Sequence, residues 1–143
     1  MKRVVSQVTL KIIFFFVLSS VLSLMFTSCS KRIEFENSNV VPAARGDVKV
    51  NKDKNNNYNI KLDISYLAEP ERLQPSRKYY VVWLSPSKNE IPLNIGQIVG
   101  TSKLNVKFET VSSSKPKRIF ITAEDDGQTQ YPSSYIVLET NKF

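Results

Sequence analysis

Tyr58, Ile60, Leu62, Ile64 and Tyr66 alternate strictly with Asn59, Lys61, Asp63 and Ser65. Successive side chains of an extended chain point to opposite faces, so this spacing gathers the apolar groups on one side and the polar groups on the other. A helix with the same sequence would scatter both kinds around its circumference. The segment therefore reads as a strand with one wet face. Leu104, Val106 and Phe108 alternate with Lys103, Asn105, Lys107 and Glu109 in the same way. Residues 79–84, Tyr-Tyr-Val-Val-Trp-Leu, are apolar on both faces, as a central strand covered on both sides would be.

Further strands are expected near 48–50, 91–99, 118–123 and 134–140. Turn chemistry separates them: Asn55-Asn56-Asn57, Ser85-Pro86-Ser87, Ser112-Ser113-Ser114 and Asp125-Asp126-Gly127. Residues 67–74, flanked by Pro70 and Pro75, read as a crossover loop with at most one helical turn. No stretch after residue 43 sustains a 3.6-residue period. About seven short strands at this spacing predict an all-β domain over residues 43–143, an antiparallel immunoglobulin-like β-sandwich. Trp83, in the middle of the central strand, is expected to be buried.

The N-terminus is of a different kind. Lys2, Arg3 and Lys11 precede residues 12–26, a run of 15 without a charge, followed by the small residues Thr27 and Ser28. This is the three-part layout of a secretory signal, expected as an N-terminal signal helix. A permanent spanning helix usually needs about 17–25 apolar residues, so the run is short for an anchor. Phe26-Thr27-Ser28-Cys29 resembles the lipobox of bacterial lipoproteins, with phenylalanine where leucine is usual. The resemblance implies that residues 1–28 are removed and that Cys29 carries lipid on its thiol. The alternatives are a single membrane anchor with a chance cysteine, and a signal peptide with soluble release. Two or more acyl chains anchor stably where one does not. Residues 29–42 then read as a flexible tether ending at Pro42. Thirteen residues, 30–42, would reach about 40 Å at ~3.3 Å per residue.

Composition narrows the function. Removing residues 1–28 takes away three basic residues and no acid, leaving 17 Lys+Arg against 13 Asp+Glu, a net +4 in place of +7. That balance gives little reason to expect nucleic-acid binding. The clusters Lys31-Arg32, Arg77-Lys78 and Lys115-Pro116-Lys117-Arg118 are suited to anionic headgroups or glycans, or are simply solvated. The chain has no histidine, and its one cysteine is Cys29. With that thiol lipidated, His- and Cys-based nucleophiles and zinc sites are not expected, nor is a disulfide or any cofactor. A hydrolase built on paired carboxylates is the remaining catalytic alternative.

Residues 80–84 (Tyr-Val-Val-Trp-Leu), 93–96 (Leu-Asn-Ile-Gly), 119–124 (Ile-Phe-Ile-Thr-Ala-Glu), Pro132 and 136–138 (Ile-Val-Leu) occur in a suggestive order. The set resembles the extracytoplasmic C-terminal domain of anti-sigma-K factors, over roughly residues 43–138. The resemblance implies a sandwich outside the cytoplasm, a sensory or regulatory module and no catalytic residues. It also suggests an accessory role in an extracytoplasmic sigma/anti-sigma system. A counterpart of that family's sigma-gripping domain is not expected, nor is direct sigma-factor binding. Asp125-Asp126-Gly127-Gln128 stands where that family usually has paired glycines.

Two constellations are left. Glu124-Asp125-Asp126-Gly127 is the densest acidic run. Consecutive acids in a strand or hairpin project in different directions, so a solvated turn is expected rather than a calcium or other metal site. Tyr58, Tyr66, Tyr79, Tyr80, Tyr131 and Tyr135 are numerous for this length. Cross-strand packing accounts for most of them. Tyr131 and Pro132, before the last strand, are the expected exposed binding pair. The composite expectation is a non-catalytic, lipid-anchored envelope protein that faces the periplasm from the outer membrane. Its partners would be the membrane, through Cys29, and an envelope protein or glycan.

Overall fold

The computed structural model describes residues 31–86, 90–99 and 105–143. Its strands are β1 (Lys31–Glu34), β2 (Arg45–Lys52), β3 (Tyr58–Ser65), β4 (Tyr79–Ser85), β5 (Leu93–Ile98), β6 (Asn105–Ser112), β7 (Arg118–Glu124) and β8 (Ile136–Glu139). They form two antiparallel sheets, ordered β1-β2-β3-β6 and β5-β4-β7-β8. β2, β3 and β6 take the places of strands A, B and E of an immunoglobulin sandwich. β4, β7 and β8 take those of C, F and G, with β5 as C′. The crossover between β3 and β4 holds one 3-10 turn, Pro70–Arg72.

The alternation of β3 becomes burial. Ile60, Leu62 and Ile64 point inward between exposed Lys61 and Asp63. Across the sandwich they join Val48 and Val106 against Tyr80, Val82, Leu84, Ile119, Ile121, Ala123 and Leu138. β4 lies between β5 and β7, the central place its two apolar faces predict. Trp83 is fully buried, as expected, but its partners are Val81, Phe120 and half-buried Ile136, in a cluster separate from the core between the sheets. Trp83 and Phe120 stack with centroids 6.3 Å apart. The outer face of the first sheet is charged, with Lys61 paired to Glu109 at 2.6 Å and Arg32 to Asp47 at 2.6 Å.

The segment 30–42, expected to be a tether, is instead part of the sandwich from Lys31 onward, and the domain does not begin at 43. β1 pairs with β2, and Ile33 is buried opposite Val48. The chain then crosses to the second sheet, where Phe35 bridges Thr140 and the Glu36 N–H donates to the Glu139 carbonyl at 2.8 Å. Ser38 Oγ donates to the Val137 carbonyl at 2.5 Å and accepts the Val41 N–H at 2.9 Å. A four-residue edge strand that changes sheets leaves no period in its sequence. The expected signal helix, residues 1–28, and Cys29 lie outside the described residues. Among the described residues, no helix is long and apolar enough to cross a membrane.

Candidate functional site

The β7–β8 connection does not stay at the end of the sandwich. It folds back over the outer face of β5, where two short-range devices shape it. Asp126 accepts the Gln128 N–H on Oδ1 at 2.9 Å, and the Thr129 hydroxyl donates to the Tyr131 carbonyl at 3.1 Å. The folded loop is then held by one side chain of β5. Asn94 Nδ2 donates to the carbonyls of Gly127 at 3.2 Å and Thr129 at 2.9 Å, while its Oδ1 accepts the Gly96 N–H at 3.0 Å. A Cβ on Gly127 would lie 1.9 Å from Gln97 Oε1, so a larger residue there would displace the exposed Gln97 side chain from the cleft.

β5 itself is shaped to receive the loop. A bulge between Val82 and Trp83 shifts its register against β4. Gly96 adopts φ +133°, and a Cβ on it would stand 3.0 Å from the Phe108 ring of the facing sheet. The backbone geometry is one that an L side chain rarely adopts, so both conformation and space call for glycine here.

Between β5 and the loop lies an open cleft of about 640 Å³. Ile91, Pro92, Leu93 and Asn94 line one side, and Gln128, Thr129, Gln130 and Tyr131 the other. Its volume falls within the range of small-ligand pockets, about 300–1,000 Å³. None of its lining residues is charged. Tyr131 is 66% exposed and Ile91 63%, so the cleft presents a ring and an aliphatic side chain to solvent beside carboxamides.

The expected binding pair is thus divided: Tyr131 lines the cleft, and half-buried Pro132 is not among the lining residues. Of the other tyrosines, Tyr66 and Tyr79 are exposed but belong elsewhere, and Tyr80 is fully buried. Burial pushes the Tyr80 phenol well above its ordinary pKa of 10.0, with Tyr135 and Glu71 adding to the shift. The acidic run does not converge. Glu124 is buried and accepts from the Thr122 hydroxyl at 2.5 Å and the Ser133 N–H at 2.8 Å. Asp125 turns to Arg77 at 2.9 Å, and Asp126 serves the turn. Among the described residues no group of three or more metal-ligating side chains is present.

A second concavity, about 500 Å³, lies over the charged outer face of the first sheet, between Asp47, Lys49, Lys61, Asp63, Lys107 and Glu109. Acids and bases interleave there, and Arg32 holds one oxygen of Asp47.

Ile91, Gln97 and Gln130 carry no motif in the sequence, and the short motifs around Leu93 and Gln128 do not point to each other. They meet only because β5 and the β7–β8 loop, some 30 residues apart, are brought together by the fold. No family model matches the chain, and neither a curated protein nor a solved structure matches it.

Proposed function

We propose that this chain is a lipid-anchored envelope protein, held by Cys29 at the periplasmic face of the outer membrane, whose sandwich binds an uncharged ligand in the β5 cleft without catalysing a reaction. The observation that carries the binding reading is the lining of the cleft. Exposed Gln97, Gln128 and Gln130 each bring a carboxamide that both donates and accepts. Tyr131 and Ile91 add apolar surface. A charged ligand would lose hydration there without meeting an opposite charge. A polyhydroxylated glycan segment, or a polar uncharged stretch of an envelope protein, suits these groups.

The Asn94 clamp supports the same reading. A loop already fastened in its binding shape loses little conformational freedom when a ligand arrives. The absence of carboxylates and histidine from the lining favours binding over hydrolysis. The likeness to the anti-sigma-K outer domain agrees with a sensory use of such a cleft, in which ligand occupancy is passed to a separate membrane regulator.

The test is affinity electrophoresis of the full-length protein in native gels containing mannan, xylan, dextran or galactan, beside blots of envelope proteins. Retention by one of these that Tyr131→Ala weakens supports the cleft as the binding site. Retention that the substitution leaves unchanged places binding elsewhere and removes the proposal.

A further inference from the structure

We propose that the end of the sandwich formed by the β2–β3 hairpin and the β6–β7 loop is a docking surface for anionic lipid headgroups, and that it sets how the domain stands on its membrane. The inference rests on the lipidation of Cys29. Its first support is the register of the first sheet. Lys31 pairs with Val50, Lys52 with Tyr58, and Tyr58 with Ser112. The start of β1, the hairpin at 53–57 and the loop at 113–117 therefore share one end.

Chain length gives the second support. Cys29 is two residues before Lys31, a reach of at most about 7 Å at ~3.5 Å per residue. With 31–41 built into the sandwich, almost no tether remains, and the lipid must hold this end of the domain close to the headgroups.

Charge supplies the third. Lys52, Lys54, Lys115 and Lys117 are all exposed at this end. Lys117 is fixed in place by its N–H donating to the Ser85 carbonyl at 2.9 Å. Of the acids at this end, Asp53 accepts the Asn55 and Asn57 N–H groups at 2.8 and 2.9 Å and shapes the hairpin, and exposed Glu90 lies in the β4–β5 connection. The opposite end is different. The β3–β4 connection, 66–78, and the first residues after β7 carry Glu69, Glu71, Asp125 and Asp126 together with Arg72, Arg77 and exposed Lys78, and Glu69 and Asp125 pair with Arg72 and Arg77. The end near the anchor thus carries four exposed lysines against Asp53 and Glu90, and the far end four acids against Arg72, Arg77 and Lys78. Attraction of lysines to an anionic surface acts within about one Debye length, ~8 Å at physiological salt, which the short reach from Cys29 satisfies.

The test uses the full-length protein in vesicles of phosphatidylcholine, with or without phosphatidylglycerol, and amine-specific acetylation read by mass spectrometry. In phosphatidylglycerol vesicles, Lys52, Lys54, Lys115 and Lys117 should label about fivefold more slowly than in detergent. Lys61 and Lys107, exposed on the outer face of the first sheet, should be unaffected and serve as the internal control. High salt should abolish the protection at all four, and the triple substitution Lys54→Glu, Lys115→Glu, Lys117→Glu should abolish it at the remaining reporter, Lys52. Uniform labelling on a protein whose intact mass includes the lipid overturns the docking surface alone, as does equal protection on phosphatidylcholine. An intact mass without lipid on a protein that fails to associate with either vesicle overturns the anchoring reading beneath it.

Discussion

Trp83 Nε1–H donates to Thr122 Oγ1 at 2.7 Å, diagonally across the β4–β7 pair and fully buried. The Thr122 hydroxyl in turn donates a hydrogen bond to Glu124 Oε1, which also accepts the Ser133 N–H at the root of the cleft loop. One threonine thereby joins the buried indole to the backbone that carries Tyr131. Thr122→Val keeps the shape and removes the acceptor, stranding a buried N–H. The expected cost is about 1–3 kcal/mol, read as a lower urea midpoint at unchanged slope. Thr122→Ser should recover most of it, and a valine variant as stable as the parent would show that the bond contributes nothing.

Trp83 fills the outer-face cluster with Val81 and Phe120. Trp83→Ala should cost about 3–5 kcal/mol, a large share of what holds a small domain together. Tyr131→Ala, at a side chain 66% exposed, should change stability by less than about 0.5 kcal/mol. As the chain has one tryptophan, its native fluorescence should be blue-shifted and shielded from iodide. Ready quenching would contradict its burial.

Tyr80 donates its phenol to the Ala68 carbonyl at 2.9 Å, and burial raises its pKa above the ordinary 10.0. The folded state therefore favours the neutral phenol. Its contribution is complete below the unfolded pKa of about 10 and is lost as pH rises further, because only the unfolded chain ionises readily. Unfolding midpoints of the wild type should fall between about pH 9 and pH 11, and Tyr80→Phe should fall less steeply. At neutral pH the same variant should be about 0.5–1.5 kcal/mol weaker, for the lost hydrogen bond. Equal alkaline slopes would remove Tyr80 as the cause.

The docked N-terminal segment gives a contrast with a free tether. Ile33 is 8% exposed and Ser38 7%, so Ile33→Ala should cost about 2–4 kcal/mol and Ser38→Ala about 1–2 kcal/mol. Two near-neutral variants in urea unfolding would mean that β1 does not hold the sandwich together.

Anchoring is tested at Cys29. Cys29→Ser should abolish palmitate labelling and release the domain from the membrane fraction without changing its unfolding midpoint. A serine variant that stays with the membrane and keeps residues 1–28 would make the apolar run an ordinary anchor.

The sequence by itself determined where seven of the strands lie and which one is central, because the pleat writes a two-residue period directly into side-chain order. β3 and β4 were legible for that reason, and so was the exposure of Tyr131 in a loop rich in turn residues. Only the tertiary structure decided the rest. β1 is too short and too near an edge to leave a period, and its place depends on β2 and on the Val137 carbonyl, about 100 residues away. That Trp83 turns away from the facing sheet follows from its parity relative to Tyr80 and Val82, which the sequence allows but does not orient. The cleft needs the bulge in β5 and the Asn94 clamp, and the basic end needs the register of three strands. Each is a relation between residues far apart in the chain, and alternation along one strand carries no information about its neighbour.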